Sequence, residues 1–280
     1  MGQLVAGRVV VASRRNDIHQ GNRPEPARLY PQLMYEWLPR EIELHTDTAA
    51  ADWVVSRLRP WGPERVRVAS FMPDAFDAYA RVFHPAGDRG GLSVGLRWSE
   101  VAARLSGPFH PDVQFRDLVG GDTQRPTILG DIEPLSGSLP VRLLRSLVGF
   151  FATWTGDDEH CWYAMWDGNG TWWKGAHGGD ERFDEERDAI LRKQPRVQTP
   201  HREYFLMRGP LQSVLPLYDA AGGQSPALWW SERRSWLVST EVDAYSSYVG
   251  GSEKLVAALL RSEEIEAVSL PFDALLDFGL

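Results

Sequence analysis

Two clusters of polar side chains in this sequence could do chemistry. Tyr79, Arg81 and His84 stand close together in the segment DAFDAYARVFHP. Phe76, Tyr79, Ala80 and Phe83 recur at helical spacing, which predicts a helix over residues 74–83. Arg81 and His84 would then share a face near its C-terminal end. A protonated imidazole is favoured there by the helix dipole, so the pair could hold an anion or act in acid–base catalysis. The plainer expectation is helix capping with an ion pair between Arg81 and Asp77. The second cluster is Glu241 and Asp243, placed at the end of a predicted strand before Tyr245 and Tyr248. Residues i and i+2 share a strand face, so the two carboxylates could bind a metal or divide acid and base roles. Glu133 could join them. Turn acids facing solvent are the simpler expectation. No histidine lies near enough to complete a metal signature, and no metal site is expected.

Tryptophan raises a different possibility. The chain has 12, of which eight fall in two concentrations. Trp154, Trp162, Trp166, Trp172 and Trp173 form one, and Trp229, Trp230 and Trp236 the other. Such clusters build either a core or a stacking surface, where a ring contributes about 1–3 kcal/mol per stacked base. Trp162 and Trp166 lie four apart in a predicted strand and share a face. Trp229 and Trp230 are adjacent and point to opposite faces, so one of them is expected to be exposed. Trp172 and Trp173 follow the Gly-rich turn Asp167–Gly170 and are the expected exposed pair. The ligand-binding candidates are therefore Trp172, Trp173, Trp229, Trp230, Tyr79 and Arg81.

Weaker signals have ordinary explanations. Gly250-Gly251-Ser252 opens a helix after a strand, where phosphate could bind, but the lysine and spacing of a P-loop are absent. Cys161 follows His160, yet neighbours on a strand point apart, so a buried thiol is expected rather than a nucleophile. G-x-S-x-G, H-E-x-x-H and paired C-x-x-C motifs are absent from the sequence, and no cofactor is implied.

The elements that must carry these residues mix without a βαβ rhythm. A helix is expected after Asp47 or Thr48, running through Arg57, and a strand over Arg65–Phe71. A short helix is expected over Trp98–Leu105. Ser138 is placed as the N-cap of the strongest helix, in which Leu143, Leu144, Leu147, Val148, Phe151 and Trp154 repeat at i, i+3, i+4 and i+7. Cys161–Trp166 and Tyr204–Met207 read as strands, residues 228–240 as a hairpin, and Ser252 as the cap of a further helix. Ile265–Leu270 reads as the last strand. Residues 174–200 read as a charged loop or linker. The fold class is thus α+β, with mixed or antiparallel sheets and packed helices. The expected division is a loosely attached arm over residues 1–48, an α+β subdomain over 49–137 and another over 138–280, continuous with the one before it.

The composition limits the partners. A formal net charge of −8 disfavours nucleic acid and anionic membranes as partners. The single cysteine rules out an internal disulfide, and no apolar run approaches a membrane span. A cytoplasmic protein is expected, acting on a protein partner or a small molecule.

Several segments together resemble a family of uncharacterised bacterial proteins. They are FDAYARVFHPA (76–86), WSEVA (98–102), GSLP (137–140), CWYAMWDG (161–168), the R-E-Y-F-L-x-x-G-P-L stretch (202–211) and the segments of 225–252 around LWW, STEVD and YVGGS. The resemblance covers roughly residues 50–270. It implies one folded unit and brings no activity, cofactor or functional residue with it. The expected function is binding through an aromatic-rich surface. The alternatives are a hydrolase using His84 or the Glu241/Asp243 pair, and a stacking site for carbohydrate or nucleotide.

Overall fold

Alternation of large apolar side chains along the strands produces a sheet that is buried on both faces. The computed structural model describes residues 37–61, 66–87, 95–120, 133–156, 159–170 and 181–276. Eleven strands can be followed among them: β1 (Glu43–Leu44), β2 (Val66–Arg67), β3 (Ala78–Phe83), β4 (His160–Trp166), β5 (Val197–Gln198), β6 (Glu203–Pro210), β7 (Leu228–Ser231), β8 (Trp236–Thr240), β9 (Ser246–Gly251), β10 (Ala267–Leu270) and β11 (Leu275–Leu276). Nine form one sheet in the order β1-β6-β4-β7-β8-β9-β3-β10, with β5 paired to β6, and every pairing is antiparallel. β2 and β11 make a separate two-stranded ladder. The fold is α+β.

The pleat sends alternate residues of β4 to opposite cores. Cys161, Tyr163 and Met165 join Trp229, Trp236, Val238 and Phe205 on one face. Helices α4 (Val141–Ala152), α6 (Val214–Ala220) and α7 (Glu253–Leu259) supply the rest of that layer through Leu143, Leu144, Leu147, Phe151, Leu217 and Leu255. On the other face, Ala164, Leu206, Trp230 and Tyr248 pack under Trp53 and Val54 of the short helix α1 (Asp52–Val55), and beside Val66 of β2. A third cluster gathers Phe83 with Trp98 and Val101 of α2 (Trp98–Leu105) and Phe115 of α3 (Phe115–Leu118). No helix among the described residues is long and apolar enough to cross a membrane.

Several local expectations change. Residues 78–83 form a strand, not a helix. Their apolar spacing fits either period, but β9 and β10 pair with this segment on its two sides, and residues 79–83 are buried throughout. Arg81 and His84 therefore share no helix face. The expected strand over 65–71 keeps only β2 and turns into a 3-10 helix at Val68–Ser70. The charged stretch after residue 174 contains a helix, α5 (Glu181–Leu191), whose last residue is fully buried. Ser138 does not cap α4. Its hydroxyl donates to Gly223 O at 3.1 Å and accepts from Ser225 N–H at 2.9 Å, tying two loops together. Ser252 does cap α7, accepting from Leu255 N–H at 3.2 Å.

β3, from before residue 137, lies between β9 and β10, so the sheet spans the expected subdomain boundary. Residues Glu43–Leu44, from the expected arm, pair with β6. Residues 1–36 lie outside the described residues, as do Trp172 and Trp173.

Candidate functional site

Antiparallel pairing brings the end of β4, the start of β6 and the end of β8 to the same end of the sheet. Trp166 is opposite Tyr204, and Thr240 is opposite Ser247. A groove of about 620 Å³ opens there between the turn after β4 and the turn before β6. It is lined by Trp166 and the Asp167-Gly168 turn on one side, and by residues 198–203 on the other. That volume falls in the range of small-molecule sites.

The turn between β5 and β6 is closed by Thr199. Its N–H and its hydroxyl both donate to Arg202 O, at 2.9 and 3.0 Å. The turn therefore holds His201 and Arg202 in fixed positions. Arg202 is the hub. Its Nη2 donates to Glu241 Oε1 at 2.6 Å and to Asp243 Oδ2 at 3.1 Å, and its Nε to Glu241 Oε1 at 3.2 Å. Its guanidinium carbon also lies 5.2 Å from the Trp61 ring centroid and 5.8 Å from that of Trp166. The two carboxylates that sequence spacing singled out do share a partner, an arginine from the β5–β6 turn. Burial raises the Glu241 carboxyl above its ordinary pKa, and the charge and hydrogen bonds of Arg202 oppose that rise. Asp243 is exposed.

His201 stacks on Trp61 with centroids 4.3 Å apart and an interplanar angle of 27°. The backbone N–H of Trp61 donates to His201 Nε2 at 2.8 Å. The imidazole is thus held as an acceptor at Nε2. Desolvation lowers its pKa, and the charge of Arg202 adds to that. On the opposite wall, Asp167 accepts from Arg196 Nε at 2.8 Å. Gly168 lies so close to Trp166 that a Cβ there would meet its Cζ2 at 2.2 Å. The half-buried indole is therefore seated against bare backbone.

The other candidates lie elsewhere. His84 is completely buried. Its Nδ1 is 2.7 Å from Leu135 O, which makes Nδ1 the protonated nitrogen and leaves Nε2 to accept from Ser247 Oγ at 2.9 Å. Thr240 Oγ1 follows at 2.7 Å from Ser247 Oγ. This serine–histidine arrangement has the geometry of a nucleophile and its base. Yet Ser247 and Thr240 are also buried, so no substrate reaches it. Burial pushes the imidazole pKa down to about 4, so it is neutral.

Arg81 is also buried. It donates to Pro111 O, Val113 O and Ser246 Oγ, at 3.1, 2.8 and 3.0 Å. These bonds fasten the loop before α3 to the sheet, and the expected pairing with Asp77 is replaced by them. The Tyr79 hydroxyl donates to Pro73 O at 2.8 Å inside the core. Trp229 and Trp230 do point to opposite faces, but both are buried, so neither is the exposed member of a pair. Cys161 is buried and its thiol is pushed up to about 12, which fits an inert side chain. Gly250 lets β9 pack against Phe76, whose Cδ2 a Cβ would meet at 2.3 Å. Its role is close packing rather than phosphate binding. No cluster of three or more metal-type side chains occurs among the described residues.

Trp166, His201, Arg202 and Trp61 are the residues that sequence reasoning passed over. Trp166 stands in the sequence only as a strand residue that shares a face with Trp162. The polar run T-P-H-R-E (199–203), set just before an apolar strand, was the available signal. The chain matches no protein-family model, no curated protein and no solved structure.

Proposed function

We propose that this protein is a binding protein whose ligand is a small polar molecule held in the groove between Trp166 and Arg202. One observation carries this reading: the Arg202 fork is fixed by two carboxylates between two tryptophans, on the wall of an open groove. A side chain ordered in this way has little entropy left to lose when a ligand arrives. Trp229 and Trp230 are buried, and Trp172 and Trp173 lie outside the described residues, so the reading rests on Trp166 and the Trp61–His201 stack instead. A hydrolase using His84 gains nothing from a shielded imidazole. The Glu241/Asp243 pair is committed to Arg202, which suits holding a ligand better than transferring a proton.

A thermal-shift panel of sugars, nucleosides, amines and small carboxylates tests the proposal. Binding to the native state alone raises the melting temperature. At least one class is expected to raise that of the wild type, with the rise lost in Trp166→Ala. If no class does so, or if Trp166→Ala responds as the wild type does, the proposal fails.

A further inference from the structure

Resting on that binding role, we infer that the groove takes a neutral polyhydroxylated ligand, a sugar, in preference to an anion or an organic cation. Charge decides against the anion. Four carboxylates (Asp167, Glu203, Glu241 and Asp243) stand against two guanidiniums (Arg196 and Arg202) at the groove and directly behind it. Arg202 is already neutralised by two of those acids. A phosphate or carboxylate ligand would have to displace them and would then face the carboxylates left behind.

The aromatic geometry decides against the cation. An organic cation is held by the faces of aromatic rings. Here both tryptophan rings already carry the Arg202 guanidinium, 5.2 and 5.8 Å from their centroids. A ligand ammonium entering beside them would meet that fixed positive charge.

A hydroxyl suits what remains, because it both donates and accepts. Arg202 Nη1 takes part in none of the bonds that hold the fork, so its donors face no competitor in the pair with Glu241 and Asp243. Carboxylate acceptors stand close by at Glu203, which lines the groove and is exposed, and at Asp243. Gln198 adds an amide, with both a donor and an acceptor, on the same wall. Flat apolar surface comes from the half-buried Trp166, from Pro200 and from the His201 ring stacked on Trp61. Planar donor and acceptor groups beside aromatic rings match the equatorial hydroxyls and the C–H face of a pyranose.

The test is isothermal titration of the full chain with maltose, cellobiose and chitobiose, beside adenosine, inorganic phosphate and choline. At least one neutral disaccharide is expected to bind, with phosphate and choline giving no heat. Trp166→Ala should weaken the sugar at least tenfold. Glu203→Ala, at an exposed position that leaves the core untouched, should weaken it at least threefold. If adenosine, phosphate or choline binds in a Trp166-dependent manner while every disaccharide fails, the sugar assignment is overturned and the binding role stands. If nothing binds in a Trp166-dependent manner, both are overturned.

Discussion

Arg202 Nη2 lies 2.6 Å from Glu241 Oε1, and the carboxylate it holds is only 4% exposed. This short contact joins the β5–β6 turn to the end of β8, two points 39 residues apart in sequence. It gives a buried acid its charged partner and fixes the direction of the guanidinium.

Removing one partner should therefore cost more than removing both. Arg202→Met leaves Glu241 buried and unpaired, and is expected to destabilise the fold by about 2–3 kcal/mol, given that Arg202 is itself partly exposed. Adding Glu241→Gln should recover part of that loss. Urea denaturation of the two single variants and the double variant measures the coupling. Strict additivity would show that the pair contributes nothing as a pair.

His84 makes stability depend on acid. Its folded-state pKa is about 4, against 6.5 for an ordinary histidine. The unfolded chain thus takes up the proton first. Stability is complete above pH 6.5 and declines as pH falls toward 4, by up to about 3 kcal/mol. The charge of Arg81 reinforces the shift. Glu241, raised in the fold, acts in the opposite direction. The difference between the wild type and His84→Gln, followed by urea denaturation from pH 7 to pH 4, isolates the histidine. Parallel pH profiles would show that the buried imidazole is not the source.

The tryptophans should divide by location. Trp229 is fully buried, 5.6 Å from Phe151 and 5.2 Å from Trp236 by ring centroids. Trp229→Ala is expected to cost about 3–5 kcal/mol. Trp166→Ala should cost less, because its ring is only partly buried. Equal losses in chemical denaturation would place Trp166 in the core.

Gly168 should control the pose of Trp166. Gly168→Ala places a methyl where the indole now sits, so the ring must turn. A stability loss of about 1–2 kcal/mol is expected, of the size seen for overpacking. Ligand affinity should fall by more than that loss implies. An unchanged near-ultraviolet circular dichroism spectrum would mean that the indole does not rest on this glycine.

The sheet was largely legible in the sequence, and the site was not. β4, the β7–β8 hairpin and α4 were readable because each carries a strong local period. β3 was not, since AYARVF satisfies both periods and only pairing with β9 and β10 decides between them. The roles of His84 and Arg81 depended on that choice. Once their segment became a central strand, both side chains were carried inside. Glu241 and Asp243 were found by spacing, but their partner Arg202 sits in the distant β5–β6 turn, and no local pattern links the three. Trp166 ends an apolar strand, and its partial exposure comes from lying at that end, beside a turn.

The central claim is that Trp166 and its neighbours, and not the core tryptophans, meet the ligand. Indole 1H–15N spectra, assigned by single Trp→Phe variants and recorded during addition of the disaccharide that binds best, test it most directly. The Trp166 and Trp61 signals are expected to move together and saturate, while those of Trp98, Trp229 and Trp236 stay still. Saturating shifts confined to the core indoles, or no shift at Trp166, would contradict it.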